Sequence, residues 1–259
     1  MFQFIEFSIE QEVAWITLNR PEVFNSMHHA MRQELIQALE TCASDSGIRA
    51  VYLTGNGKAF CAGEDLQEVV DPQGPSLTEI ISTGYNPIVT AIRRLEKPVV
   101  CAINGVAAGA GANIALACDI TVATESASIT QAFSKIGLIP DSGGTWTLPR
   151  LVGLQRATAL MMLSDKISAS EAASMGMIWK AFPDESFNEE SRKLATRLAG
   201  MPTKGLGLTK RALNRSYSND FESQLDLEDV LQTQAGQTDD YREGVASFLE
   251  KRKPVFKGS

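Results

Sequence analysis

Three features of this 259-residue chain predict an α/β fold. Residues 1–120 alternate short apolar runs with amphipathic stretches in the order strand, helix, strand, helix, strand, helix, the pattern of helices layered on sheet. Glycine-containing turns at 61–66, 104–111 and 137–144 punctuate those runs. From Asp184 onward the pattern is helical, with Leu, Phe and Val striped beneath a charged outer face. The expected division is a core over 1–200 and a helical region over 201–259.

Phe2–Ile9 and Val13–Leu18 alternate with the two-residue period of strands, joined around Glu10-Gln11-Glu12. Ser26 is placed to cap a helix reaching Cys42, with Met27, Met31, Leu35 and Leu39 on one stripe. His28 and His29 then fall in its first turn, as solvent or substrate-edge residues. Ala50–Thr54 reads as a buried strand, and Ala59–Leu66 as a tight turn with a helix-like segment behind it. After a loop at 71–76, a helix from Leu77 to Leu95 is expected to be interrupted near Asn86-Pro87. Pro98–Ile103 is a buried-type strand that turns at Asn104-Gly105. The Ala- and Gly-rich run after it predicts a helix starting near Gly109 or Ala110. Ile120–Ala123 and Ser128–Thr130 continue as strands, and Gln131–Ile136 as a short helical turn. Ser168-Ala169-Ser170-Glu171 has capping-box spacing and opens a helix to Met175. Ile178–Phe182 is the last strand, followed by helices over 185–199, 203–215, 221–236 and 240–250.

Composition excludes several classes of function. A hydrophobic content of 44% and a charged content of 21% are ordinary for a globular protein. A net charge of −7 argues against nucleic acid as the main partner. No apolar run is long enough to span a membrane, and the first residues lack the pattern of a signal peptide. Cys42, Cys61, Cys101 and Cys118 have no CxxC spacing and read as reduced, buried thiols of a cytoplasmic protein. Two adjacent histidines make no metal set.

The chemistry concentrates in the three glycine turns. No side chain in Val106–Ala112 is polar, so any function there belongs to the backbone. A helix N-terminus carries unpaired N–H groups and a partial positive charge, which suits a developing oxyanion. A tightly packed small-residue helix is the other reading of the same stretch. Gly63 lets Glu64 present its amide at the head of a helical turn, and Ala110 does the same at the buried helix. Two converging amides would form an oxyanion hole, each donor worth about 2.7–4 kcal/mol in the transition state. Asp141, between Ile139-Pro140 and Ser142-Gly143-Gly144, is either a partly desolvated base or a cap for the helix after Gly144.

Phe60-Cys61-Ala62-Gly63-Glu64-Asp65-Leu66, Asn104-Gly105 with Gly109-Ala110-Gly111, and Gly137-Leu138-Ile139-Pro140-Asp141-Ser142-Gly143-Gly144-Thr145 together resemble the crotonase (enoyl-CoA hydratase/isomerase) superfamily. The resemblance runs from about Phe4 to Phe256, and Ile139-Pro140-Asp141 with Gly143-Gly144-Thr145-Trp146 and Gly205-Leu206-Gly207-Leu208 looks most like the phenylacetate-catabolic isomerases of that family, which act on 1,2-epoxyphenylacetyl-CoA. It implies a spiral of ββα units, a C-terminal helical trimerisation region, assembly as a homotrimer or dimer of trimers, and an acyl-CoA thioester substrate with no further cofactor. It maps the oxyanion amides onto Glu64 and Ala110, and the substrate contacts onto Phe24, Asn25, Ala62, Gly63, Asp65, Leu66 and Gly109.

The resemblance also carries departures. The two glutamates that place water in hydratases of this family would fall at Asn113 and Phe133, neither of which transfers a proton. Asp141 remains, where isomerases and some dehalogenases of the family carry a catalytic aspartate. The expected activity is therefore an acyl-CoA isomerase working through an enolate. The alternatives are hydration through another acid such as Glu64, a nucleophilic Asp141 as in dehalogenases, or a non-catalytic acyl-CoA-binding subunit.

Overall fold

The computed structural model describes residues 2–259. The chain opens with an antiparallel hairpin of β1 (Ile5–Glu10) and β2 (Val13–Leu18), in register from Ile5–Leu18 to Glu10–Val13. Gln11 and Glu12 both take positive φ (52° and 61°), so they form the two-residue turn whose twist matches paired strands. β2 is buried along almost its whole length and begins the core.

α1 (His29–Ser44) follows, but its cap is His28 and not Ser26: the His28 ring nitrogen accepts from Met31 N at 3.2 Å. Phe24 and Asn25, both at φ 55°, turn the chain, and Met27 is held as a β-bridge to Glu64, so the helix cannot begin earlier. The His28 ring packs edge-on against Phe4 at 4.4 Å, which commits it to the scaffold.

β3 (Ala50–Gly55) returns parallel to β2, and β4 (Ala59–Cys61) then steps into a second sheet. α2 (Leu66–Val70) and α3 (Leu77–Glu79) lead into a π-helical turn at Ile80–Tyr85 and on to α4 (Asn86–Arg94). The expected interruption at Asn86-Pro87 is thus displaced into the preceding π turn. Pro87 offers no N–H to the carbonyl four residues back, and that carbonyl, Thr83 O, accepts from Gln33 Nε2 at 3.1 Å instead.

β5 (Val99–Ile103) joins the first sheet beside β3, and β6 (Val106–Ala108) joins the second beside β4. Asn104 fixes the step between them: its amide donates to Gly57 O and Ala59 O, while its oxygen accepts from Gly55 N. Behind β6 comes α5 (Gly109–Ala117), every residue of which is buried. β7 (Ile120–Thr124) and β8 (Ser128–Thr130) repeat the two-sheet step. A 3-10 turn at Ala132–Ile136, α6 (Gly144–Val152), α7 (Leu154–Leu163), β9 (Ile167–Ser168), α8 (Ala169–Ser174) and β10 (Lys180–Phe182) complete the core.

The sheets run β1-β2-β3-β5-β7-β10 and β4-β6-β8-β9. The pairs β3–β4, β5–β6 and β7–β8 each lay one strand in the first sheet and the next in the second before the chain turns helical, the ββα spiral of the crotonase fold. β6 was not legible as a strand because Val106-Ala107-Ala108 merges into the Ala/Gly run, and α7 carries no cap that announces it. The capping box at Ser168 and Glu171 is formed in full.

α9 (Phe187–Ala199) covers the first sheet; α10 (Thr203–Ser216), α11 (Phe221–Gly236) and α12 (Asp239–Glu250) form the helical tail. The tail is tied back to β3 through buried Arg49, which donates to Met201 O, Thr203 Oγ1 and Phe256 O. The Asp240 carboxylate, in turn, accepts from Lys257 N and Gly258 N. Phe221, Phe248 and Leu249 of the tail remain exposed.

Candidate active site

The first two glycine turns converge. Gly63 sits at φ 96°, and a Cβ there would lie 3.0 Å from Ala108 O and 3.4 Å from Ala110 N. Gly111 is pressed against β4 so closely that its Cβ would meet Cys61 O at 2.4 Å. Only glycine permits these approaches, and together they bring the 61–66 turn against the N-terminus of α5. Ala110 is the second residue of that helix, so its N–H has no intrahelical acceptor.

Glu64 differs in detail from the sequence expectation. The helix behind Gly63 starts at Leu66 with Asp65 as its cap, so the Glu64 amide is not at a helix head. It belongs to a bridge in which Met27 N donates to Gly63 O at 2.8 Å and Asp65 N donates to Met27 O at 3.0 Å. Flanked by those two bonds, the Glu64 N–H faces away from Met27. Neither it nor Ala110 N finds an acceptor among the described residues. The two adjoining turns thus each carry one amide without an acceptor among the described residues.

The third turn lies over the same helix. Asn113, one turn along α5 from Ala110, donates from Nδ2 to Asp141 O at 2.9 Å and accepts from Gln131 Nε2 at 2.8 Å. Gly144 rests on that amide, where a Cβ would fall 2.3 Å from Asn113 Nδ2. The Phe133 ring reaches to within 3.9 Å of the Cβ position of Gly109, itself at φ 53°. The positions where the resemblance places the hydratase glutamates are thus occupied by a loop anchor, Asn113, and an apolar wall, Phe133.

Asp141 is half-buried, and its side chain does not cap α6; Gly143, at φ 74°, holds that place. One carboxylate oxygen accepts from Ser142 Oγ at 2.8 Å, and the other has no partner among the described residues. Burial raises the Asp141 pKa above the ordinary carboxylate range, with Ser142 opposing it.

The Glu64 side chain turns away from the amides into a cluster the sequence did not announce. Its carboxylate accepts from Arg32 Nη1 at 2.6 and 2.7 Å and from Tyr85 Oη at 2.7 Å. Arg32 Nη2 also holds Glu68 at 2.7 Å. Burial pushes Glu64 up to about 7 against the pull of Tyr85 and Arg32. Burial would raise Glu68 as well, but the His29 N–H and Arg32 hold it below the usual range. The deeper burial of Glu64 makes it the less readily ionised of the two carboxylates. Arg32 sits on an amphipathic helix next to its apolar stripe, where an arginine ordinarily marks the solvent edge; nothing local reveals its burial.

Of the remaining expected contacts, Phe24 is half exposed and adjoins the turn, its O accepting from Ala62 N at 3.0 Å. The Asn25 side chain is engaged by Arg20 N, Asn56 O and Ala59 O, so a substrate contact at this position falls to its backbone. Asp65 is paired with Arg20 at 2.9 Å, and Leu66 is exposed. A basic cavity of about 880 Å³ between α4, α6 and α10, lined by Arg93, Arg94, Lys210 and Arg211, includes none of the glycine-turn residues.

Comparison with known proteins agrees with this fold. Residues 8–259 match the family described as Enoyl-CoA hydratase/isomerase. The chain is 48% identical to the 1,2-epoxyphenylacetyl-CoA isomerase of Escherichia coli K12, covering 100% of both chains. It is 46% identical to a Rhodobacter capsulatus protein named as a probable enoyl-CoA hydratase, over 98% of each. The crystal structure of an enoyl-CoA hydratase/isomerase from Cupriavidus metallidurans superposes with a TM-score of 0.92 at 33% identity, over 100% of this chain and 97% of that one. The spiral, the paired glycine turns and the full-length matches place this chain in the enoyl-CoA hydratase/isomerase family.

Proposed function

We propose that the chain is a cofactor-free acyl-CoA isomerase acting on unsaturated or ring-epoxidised thioesters. The carrying observation is the single carboxylate of Asp141 on a loop anchored over the helix whose N-terminus offers Ala110 N, with Asn113 and Phe133 at the hydratase acid positions. The thioester oxygen accepts from Glu64 N and Ala110 N as Asp141 removes a proton from C2, and the electron pair delocalises into the carbonyl. For a 3-enoyl ester, the same acid returns the proton at C4 as the double bond settles between C2 and C3. No bond to water forms, and no electrons leave the substrate. Ala62, Gly63, Asp65, Leu66, Gly109 and the Phe24–Asn25 backbone lie where the CoA thioester would thread past the turn. The exposed apolar residues of α11 and α12 support assembly as a homotrimer or dimer of trimers.

Relatives of nearly equal identity carry an isomerase and a hydratase name, so product analysis decides between them. Incubation with a 3-enoyl-CoA, a trans-2-enoyl-CoA and 1,2-epoxyphenylacetyl-CoA is expected to give the shifted double bond and a rearranged ring product. Accumulation of a 3-hydroxyacyl-CoA would instead establish hydration. Binding of all three esters with no product would establish a non-catalytic subunit.

A further inference from the structure

We propose that Arg32 is the positioning residue of the oxyanion hole, fixing the Glu64 amide through its hold on the Glu64 carboxylate and on Met27 O, the carbonyl of the bridge that carries Glu64. The inference rests on the isomerase reading for its kinetic consequence but not for its geometry.

Arg32 is 1% exposed. Its Nη1 donates to Met27 O at 3.1 Å, the carbonyl that also accepts from Asp65 N. The same nitrogen holds the Glu64 carboxylate, and Nη2 holds Glu68 on α2, whose other oxygen accepts from His29 N at 2.8 Å. One guanidinium thereby joins the start of α1, the Met27–Glu64 bridge and α2. The Glu64 peptide is gripped before and after the N–H that faces the site, so the direction of that N–H follows the position of Arg32.

The π turn supplies the other wall. It places Tyr85 Oη on Glu64 and the bare backbone of Gly84 over Arg32, where a Cβ would stand 2.7 Å from both Cδ and Nε. Arg32 Nε is buried without a partner. An unpaired buried donor is costly, and its retention beside Nη atoms that are both paired marks a side chain held by its ion-pair ends and by Gly84. A π-helical turn is itself uncommon and concentrates at functional sites.

The test uses a thioester carrying ¹³C at the carbonyl, bound to the full chain, with the infrared C=O stretch as readout. A hydrogen-bonded carbonyl absorbs at lower frequency than in free solution, and no turnover is required. Arg32→Met is expected to lose most of that downshift and to lower kcat at least tenfold with KM little changed, while Arg32→Lys recovers part of both. Gly84→Ala, which displaces Arg32 without removing a polar group, is expected to act in the same direction and serves if Arg32→Met does not fold. A full downshift and near-normal kcat in a folded Arg32→Met or Gly84→Ala protein would overturn the proposal. Asp141→Asn should keep the downshift; if that variant also keeps turnover, the isomerase reading fails while the role of Arg32 stands on the spectrum.

Discussion

Asp141→Asn is expected to lower isomerase turnover by about a thousandfold while leaving affinity for a CoA thioester unchanged. General acid–base groups contribute roughly 10²–10⁴ in rate. The amide keeps the size of the carboxyl and can still meet Ser142 Oγ, so the loop held by Asn113 has no reason to move. Stability should respond in the opposite sense. Burial raises the Asp141 pKa in the folded chain, so the folded state binds this proton more tightly than the unfolded one. The ionised group therefore costs stability once pH passes the unfolded carboxylate value of about 3.9, and the cost is complete above the folded value. The asparagine variant should unfold at an equal or higher temperature at neutral pH, and wild-type kcat should fall on an acid limb above the ordinary aspartate range. A variant that is both inactive and markedly less stable would point to a structural aspartate.

Gly63→Ala is the second large effect, an expected loss of about a hundredfold in kcat, the scale of removing one oxyanion donor. The new methyl meets Ala108 O at 3.0 Å and Ala110 N at 3.4 Å, both backbone, at a φ of 96° that alanine resists. Relief requires the 61–66 turn to draw back from α5, which parts the two amides. Gly137→Ala is the matched control: its φ is 74°, but nothing lies within 4 Å. It should cost about 1 kcal/mol in urea denaturation, from strain alone, with kcat intact.

The fold was legible because strands such as Val13–Leu18 and Val99–Ile103 are buried apolar runs bounded by turn residues, a pattern few other structures produce. Gly63 and Gly111 were legible for a related reason: close backbone approach leaves glycine as its trace. The supporting cluster was not. Arg32, the Glu64–Glu68 stretch and Tyr85 come from three separate segments, and nothing in any one of them shows that it meets the others. Asn113 showed by its departure from the hydratase pattern that an acid is missing, but its hold on Asp141 O depends on Gly144 settling on its amide. The His28 cap was hidden because the Phe24–Asn25 turn and the Met27 bridge are tertiary facts that override a good serine signal.

Proton exchange into a bound thioester tests most directly the idea of one carboxylate working on an enolate held by two amides. In D₂O, followed by NMR with a saturated acyl-CoA that cannot isomerise, the wild-type chain should wash deuterium into C2 and the Asp141→Asn variant should not. Exchange that continues undiminished in the variant would contradict the account, because the proton would then be leaving through another group.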